Sequence, residues 1–472
     1  MNSPARNAAK SPRSPGEEGI HAVYWQTSAR RRPRPRLDAA APKRVDVLIV
    51  GGGYTGLSAA RALKAAAPGL RIAVVERRFV GYGASGRNSG FLTPLIGHDL
   101  ASLRRRFGER VGKVLADVGR DAVRELIATI EGDAIDCDLE PSGLANPGFS
   151  PAHLRQVDRL CAAAEAFGID HERWDATRTR EELGVDWLRA AFYLRDGGIL
   201  QPFKLAQGLA ARAEAEGIEV FEESLVDDLE LGPTVRARGP WGTIAADMCV
   251  IATNAYTRRP RGYRWHYAPI HVYSVVSAPL RPEQRAAIGG WPRRVGFYTL
   301  HHILYALRLT ADNRILAATG DVRYFAGDRL HVGDRPRDYA LLKNAITWMW
   351  PALADLEIEH RWEGVVGVTL SDLPSVGRHR RHANVVHALG YCGHGVALAN
   401  HAGGLVRDLL LRRPGIHEEL PFVRASPIPP VPPEPLRTPV AAAYLGVLRG
   451  LDALSDRHAP RWRRRPPRFG RG

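Results

Sequence analysis

One stretch near the N-terminus constrains the fold more than any other part of the sequence. An apolar run, Val45–Val50, leads directly into three glycines and then into small and apolar residues spaced as on one side of a helix. Pro68 and Gly69 end that pattern, and a second apolar run, 71–76, follows. A strand, a helix and a strand within about 30 residues form a βαβ unit, whose strands are parallel. We therefore expect an α/β chain with a parallel sheet.

The glycines of this unit have the spacing Gly51-x-Gly53-x-x-Gly56. Glycines at these positions permit a tight turn, close approach of a pyrophosphate to the backbone, and close packing of helix on strand. Glu76 ends the second run 20 residues after Gly56, where an acid accepts hydrogen bonds from ribose hydroxyls. The pattern predicts a dinucleotide site that includes Glu76 and its neighbours Tyr54, Thr55 and Arg77.

Two further glycine-rich loops bear on which dinucleotide this is. The first, 81–90, follows the second strand, and the second, 390–396, lies between a predicted strand and a predicted helix. A second helix N-terminus opposite the first would stabilise the negative charge that reduced flavin carries, and NAD has no such need. By themselves, both loops are also compatible with ordinary glycine turns.

Composition narrows the class of protein. Apolar residues make up 45% of the 472, and no apolar stretch is long enough for a membrane span. Most of the net charge of +16 lies in two tails: residues 1–44 hold ten Lys/Arg against three acids, and residues 457–472 hold seven Arg and no acid. The tails are either solvated or placed on an anionic surface, whereas the nearly neutral body predicts no nucleic-acid binding. The four cysteines form no CxxC pair, so we expect a cytoplasmic protein without a metal site.

The sequence resembles the FAD-dependent oxidoreductases of the D-amino-acid oxidase (DAO) superfamily, and among them the γ-glutamylputrescine oxidoreductase-like subgroup, in which a Tyr-Trp-like segment (Tyr24-Trp25) also precedes the FAD domain. The resemblance spans roughly residues 22 to 415. The segments that carry it are Gly51–Gly56 with Glu76, Gly83-Ala84-Ser85-Gly86-Arg87-Asn88, Gly198-Ile199-Leu200-Gln201-Pro202, Val250-Ile251-Ala252-Thr253-Asn254 and Gly393-His394-Gly395-Val396.

The resemblance implies a Rossmann-like FAD domain of the glutathione-reductase type, built from discontinuous segments, with an interleaved antiparallel β substrate domain. The β-rich stretch from about 266 to 363 agrees with this. The expected division is a basic disordered arm (1–44), FAD-binding segments (45–135, 198–258, 363–415), substrate-domain segments (136–197, 259–362) and a Pro/Arg-rich extension (416–472).

The resemblance also implies roles for individual residues. Gly51, Gly53 and Gly56 would hold the pyrophosphate, Glu76 the ribose, and Val226 the adenine. The flavin side would be formed by Ala84, Ser85, Gly86, Arg87, Asn88, Gly90 and Thr253, with Gly393, Gly395 and Val396 at its pyrimidine edge. The final segment, 364–374, lacks the cysteine to which some relatives attach flavin, so non-covalent FAD is expected. Region 266–340 also lacks the lysine that some oxidases use for oxygen activation.

The implied reaction is oxidation of the C–N bond of an amine or amino acid by hydride transfer to flavin N5, followed by hydrolysis of the imine. Oxygen or another acceptor would take the electrons. Tyr305, Arg308 and His394 are the candidate catalytic residues. Tyr305 and Arg308 lie on a predicted strand of the substrate domain, and Arg308 would pair a substrate carboxylate unless it is a surface ion-pair partner. His394 would contact flavin or serve a structural role. Two alternatives stay open: a flavin monooxygenase, and a non-catalytic nucleotide-binding protein that docks through its basic tails.

Overall fold

The computed structural model of the chain describes residues 22–38, 42–257, 263, 265–415, 419–423 and 430–459. The helices are α1 (Tyr24–Thr27), α2 (Tyr54–Ala66), α3 (Leu100–Gly132), α4 (Pro151–Phe167), α5 (Ala176–Leu183), α6 (Pro202–Ala215), α7 (Pro282–Ala287), α8 (Pro336–Met349), α9 (Gly395–Leu410) and α10 (Arg437–Asp456). The strands are β1 (Arg44–Val50), β2 (Ile72–Val75), β3 (Phe91–Leu92), β4 (Leu144–Gly148), β5 (His171–Trp174), β6 (Ala190–Leu194), β7 (Gly198–Ile199), β8 (Glu219–Phe221), β9 (Asp228–Glu230), β10 (Val235–Gly239), β11 (Gly242–Ile251), β12 (Ala268–Pro279), β13 (Gly296–Tyr298), β14 (Tyr305–Leu309), β15 (Arg314–Tyr324), β16 (Ile358–Val368), β17 (Ser375–Arg378) and β18 (Val385–Leu389).

The first sheet has the strand order β17-β18-β11-β1-β2-β8, and β10 and β9 extend it from β11. Strands β18, β11, β1, β2 and β8 are parallel, and Val47 of β1 lies between Met248 of β11 and Ile72 of β2. Helices α2, α6 and α9 cover one face with core side chains such as Leu57, Leu209 and Leu405. Parallel strands need crossover connections, which explains why these strands come from three separated stretches of chain.

The second sheet has the order β16-β12-β15-β14-β13-β4-β6-β5. Its neighbouring strands are antiparallel, apart from the parallel pair β13 and β4. Its strands fall between those of the first sheet along the chain. The predicted fold class, a discontinuous Rossmann-like domain interleaved with an antiparallel domain, is confirmed.

The N-terminal arm departs from the prediction. Residues 22–38 are not disordered, because Trp25 and Leu37 are almost fully buried and the Leu37 N–H donates to Ser224 Oγ at 2.8 Å. Arg34 is buried as well and forms ion pairs with Glu214 (3.2 Å) and Glu222 (3.3 Å). Part of the arm's positive charge therefore neutralises acids of the body. Residues 1–21 lie outside the described residues.

The C-terminal segment, expected to be a Pro/Arg-rich extension, contains the 20-residue helix α10. It packs against β15 and α4 of the antiparallel domain. Among the helices of the described residues, none is both long enough and apolar enough to span a bilayer. The arginine-rich run 461–468 lies outside the described residues.

Candidate functional site

A cavity of about 510 Å³ lies at the carboxyl ends of the parallel strands. It extends from Val226, beside β9, to Val396, in the first turn of α9. Fourteen of the residues predicted to bind the cofactor line it: Gly51, Gly53, Tyr54, Thr55, Glu76, Arg77, Ala84, Ser85, Asn88, Val226, Thr253, Gly393, Gly395 and Val396. The loops 81–90 and 390–396, which are far apart in sequence, thus face one enclosed space.

The first turn of α2 forms part of the cavity wall through Tyr54 and Thr55. The Tyr54 N–H donates to Ser85 Oγ at 3.0 Å, and the N–H groups of Thr55 and Gly56 have no partner within the helix because they belong to its first turn. A Cβ at Gly56 would lie 1.9 Å from the carbonyl oxygen of Gly51, so glycine is needed there for helix to pack on strand. Gly56 therefore shapes the site without lining the cavity.

Glu76 lies beside this helix start and is fixed by the backbone. Its carboxylate accepts hydrogen bonds from the N–H groups of Gly52 (2.9 Å) and Arg78 (3.1 Å). Burial raises the pKa of Glu76, and the two N–H donors and the charge of Arg77 oppose that shift. A carboxylate has about four acceptor positions, so two remain for hydroxyls in the cavity.

The loop 84–90 is held in place by donors from three remote elements. The indole N–H groups of Trp362 and Trp25 donate to the carbonyl oxygens of Arg87 and Asn88, each at 2.8 Å. The Arg308 guanidinium donates to the carbonyl of Gly90 at 2.8 Å. Because every one of these carbonyls belongs to the backbone behind the cavity wall, the donors set the loop's position and leave its cavity side free.

This arrangement corrects the roles expected for two arginines. Arg308 does not line the cavity: it is 1% exposed and also donates to the carbonyl of Leu200 at 2.7 Å, so the guanidinium is occupied by backbone rather than available to a substrate carboxylate. Burial lowers its pKa to about 10. Arg87 likewise turns away from the cavity and donates to the carbonyls of Tyr82 (2.7 Å) and Glu363 (3.1 Å). Gly86 and Gly90 lie in the same loop without lining the cavity.

The start of α9 forms the opposite wall. The Tyr391 and Thr55 hydroxyls are 2.8 Å apart, which ties this loop to the start of α2. Gly393, Gly395 and Val396 line the cavity, and the first N–H groups of α9 have no side-chain cap. His394 is the N-cap and does not line the cavity. Burial lowers the pKa of its imidazole to about 4, so it is neutral at physiological pH.

Tyr305, the third residue predicted to be catalytic, lies elsewhere. Its ring packs near His301 (5.6 Å between centroids) and Trp348 (6.4 Å), within the antiparallel domain. Burial raises its pKa well above the ordinary value, so the phenol stays protonated. The structure therefore does not bring Tyr305 together with the cavity.

Several residues around the cavity were not predicted. They share positions at strand ends or in the glycine loops: Tyr82, Asn254, Tyr256, Val366 and Tyr391. Asn254 Oδ1 accepts a hydrogen bond from the Gly390 N–H at 3.0 Å and so joins the end of β11 to the loop 390–396. Position at the carboxyl end of β11 was the available signal for Asn254, since ligands bind at that edge of parallel sheets.

The residues present fit an extended dinucleotide. Two helix N-termini face one cavity with unpaired N–H groups, which favour anionic or electron-rich groups. A carboxylate suited to ribose hydroxyls lies near one end, and small residues line the other.

Comparisons with known proteins agree with this geometry. Residues 46–409 match the family model described as FAD dependent oxidoreductase (DAO). The chain is 31% identical over 369 residues to gamma-glutamylputrescine oxidoreductase of Escherichia coli, covering 77% of this chain and 83% of the relative. It is 30% identical over 429 residues to the probable oxidoreductase OrdL of Rhizobium meliloti, covering 90% and 94%.

Solved structures show the same fold at lower identity. Glycine oxidase from Geobacillus kaustophilus is similar with a TM-score of 0.68 and 22% identity, covering 79% of this chain and 96% of that chain. L-amino acid deaminase from Proteus myxofaciens gives a TM-score of 0.68 at 15% identity, covering 82% and 94%. The family match spans most of the chain, so this chain belongs to the DAO family of FAD-dependent oxidoreductases.

Proposed function

We propose that the chain oxidises a C–N bond of a small amine or amino acid, with FAD held non-covalently in the cavity. The observation that carries the proposal is the single cavity that joins the starts of α2 and α9. The relatives described above include an oxidoreductase named for γ-glutamylputrescine, a glycine oxidase and an L-amino acid deaminase. Each of these names refers to an amine or an amino acid.

In this arrangement each part of the cavity wall has a distinct task. The N–H group of Thr55 and the backbone of Gly51 and Gly53 would bind the pyrophosphate. Glu76 would bind the ribose hydroxyls, and Val226 the adenine face. The unpaired N–H groups at the start of α9 would favour negative charge in front of Gly395 and Val396. When bound, FAD supplies the acceptor for the hydride that leaves the carbon next to the amine nitrogen.

The chain's ionisable groups at the site point to orientation rather than strong base catalysis. The neutral His394 and the backbone-bound Arg308 do not present a charge to the cavity. We therefore expect the substrate to react as the free amine, which would make turnover rise with pH toward the pKa of the amine itself. The product imine would be hydrolysed by water, and oxygen or a separate acceptor would take up the electrons.

The test is anaerobic bleaching of the purified protein's flavin absorbance. We expect loss of the absorbance with at least one member of a panel of polyamines, γ-glutamyl amines, N-methyl amino acids and D-amino acids, and recovery on admission of an acceptor. A protein that dithionite bleaches and that no member of the panel bleaches would contradict the proposal. Bleaching by NADH or NADPH alone would favour the flavin monooxygenase alternative.

A further inference from the structure

Helix α10 turns its charged side chains toward the body of the protein and its large apolar side chains toward solvent, whereas an ordinary surface helix does the reverse. All four of its charged residues bond to the body of the protein. Arg437 pairs with Asp328 (2.5 Å) and Arg449 with Asp321 (2.8 Å). Asp452 accepts from the N–H groups of His302 (2.7 Å) and Ile303 (2.9 Å), and Asp456 lies 3.0 Å from His301 Nε2. The helix is therefore attached by its polar groups.

The outward face of α10 is correspondingly apolar. Its large side chains are between 43% and 62% exposed: Leu436, Val440, Tyr444, Val447, Leu451 and Leu454. From Val440 onward they are spaced by four, three, four and three residues, which places them in one line along the helix. The positions between them on this side are alanine and glycine. Water-exposed apolar stripes of this length mark interaction surfaces, because leaving them in water is unfavourable.

Positive charge borders this stripe. The start of α3 lies beside the turn that contains Leu370 and Ser371, because Arg106 Nη1 is 3.1 Å from His98 Nε2 and that nitrogen is 2.9 Å from the Ser371 carbonyl oxygen. Tyr444 is near this turn as well: partial burial raises the pKa of its hydroxyl, and the charges of Asp372 and Arg106 also act on it. The exposed Arg104 and Arg105 precede Arg106 on α3. Leu370, in the same turn as Asp372, is 60% exposed.

The sequence beyond α10 continues the positive charge. Residues 457–472 contain seven arginines, no acid, and Trp462 among the arginines. An apolar helix face that is followed in the sequence by arginines and a tryptophan is typical of segments that bind in the interface of an anionic bilayer. A second copy of the chain would bring together two molecules of net charge +16, which opposes self-association.

We propose that α10, together with the arginines at the start of α3 and the exposed Arg457, is a docking surface for an anionic lipid bilayer. The apolar side chains enter the interface, and the arginines lie over the lipid phosphates. The FAD cavity takes no part in the contact, so binding and flavin content are separable.

The test is co-sedimentation of the full-length holoprotein with vesicles. We expect binding to phosphatidylcholine vesicles that contain phosphatidylserine, little binding to pure phosphatidylcholine, and release by salt. The variant V447S/L451S should bind at least about tenfold more weakly, because two apolar side chains no longer enter the interface. Both positions point outward, so its flavin absorbance and melting temperature should match those of the parent protein.

Charge is tested separately with matched variants. R104Q/R105Q should weaken binding to the anionic vesicles and reduce its dependence on salt, whereas R380Q/R381Q, the same change on the exposed turn between β17 and β18, should not.

Holoprotein that stays in the supernatant with anionic vesicles would overturn the proposal. So would a concentration-dependent dimer that V447S/L451S abolishes, since that result would assign the face to a second copy. If V447S/L451S loses its fold, Tyr444→Ser tests the same face alone.

Discussion

Replacing Glu76 by glutamine tests the assignment of the adenosine end of the cavity. The carboxylate accepts from the Gly52 and Arg78 N–H groups, and its free acceptor positions face the cavity. Each charge-assisted hydrogen bond to a ribose hydroxyl contributes about 1.5–3 kcal/mol, so its loss should weaken FAD binding roughly 10- to 100-fold. ADP should lose affinity by the same factor, because it shares the adenosine, whereas FMN should be unaffected.

The variant apoprotein should still fold, although its free energy of unfolding should fall. Burial raises the pKa of Glu76, so its stabilising contribution belongs to the protonated form, below the unfolded pKa, and is lost as pH rises through the folded value. Neutral glutamine at pH 7 therefore removes no electrostatic stabilisation, although one of the two N–H groups loses its acceptor, at a cost of about 1–3 kcal/mol. The assay is fluorescence titration of apoprotein with each nucleotide, alongside urea unfolding.

Glu222 provides a matched control. It is a more deeply buried glutamate that pairs with Arg31 (2.6 Å) and Arg34 (3.3 Å) and does not line the cavity. Glu222→Gln should lower the free energy of unfolding by up to about 3–5 kcal/mol, because it leaves buried Arg34 with less compensation. ADP affinity of the folded variant should stay unchanged. Unaltered ADP affinity in Glu76→Gln, or an equal loss of ADP affinity in Glu222→Gln, would contradict the assignment of Glu76 to the ribose.

Three further predictions concern Trp25, Arg308 and two buried histidines. Trp25→Phe should lower the free energy of unfolding by about 1–3 kcal/mol and speed FAD release, because the Asn88 carbonyl loses its donor; unchanged urea curves and release rates would count against this. Arg308→Met should alter KM for carboxylate-bearing and carboxylate-free amines by the same factor, and a rise for the carboxylates alone would restore Arg308 as a substrate contact. Burial lowers the pKa of His153 and His387 to about 3, so stability should be present above pH 6.5 and fall below it by up to about 1.4 kcal/mol per pH unit for each histidine; His387→Asn should flatten that dependence in urea titrations.

The parts of the fold that follow local rules could be predicted from the sequence. Apolar runs that end in glycines predicted β1 and β2, and the spacing of Gly51, Gly53 and Gly56 predicted the turn before α2. These features depend on backbone geometry and on residues close in sequence, so they are visible in one sequence.

The features that depend on distant partners could not be predicted. Composition made residues 1–44 look disordered, because the arginines and prolines outnumber the few apolar residues that are buried, Trp25 among them. Glu222, which pairs with the buried Arg34, lies almost 200 residues further along the chain. Arg308 was interpreted from its residue type alone. Only the structure shows that carbonyls at positions 90 and 200 already occupy its guanidinium.

The central claim is that one FAD extends from Val226 to the start of α9. Its most direct test is to place the same bulky side chain at either end of the cavity, as Val226→Phe and Val396→Phe, and to titrate each apoprotein with FAD and with ADP. We expect Val226→Phe to weaken the binding of both ligands, and Val396→Phe to weaken FAD binding by at least about tenfold while ADP affinity stays unchanged. Equal losses of both ligands in Val396→Phe, or undiminished FAD affinity in a folded Val396→Phe protein, would contradict this claim.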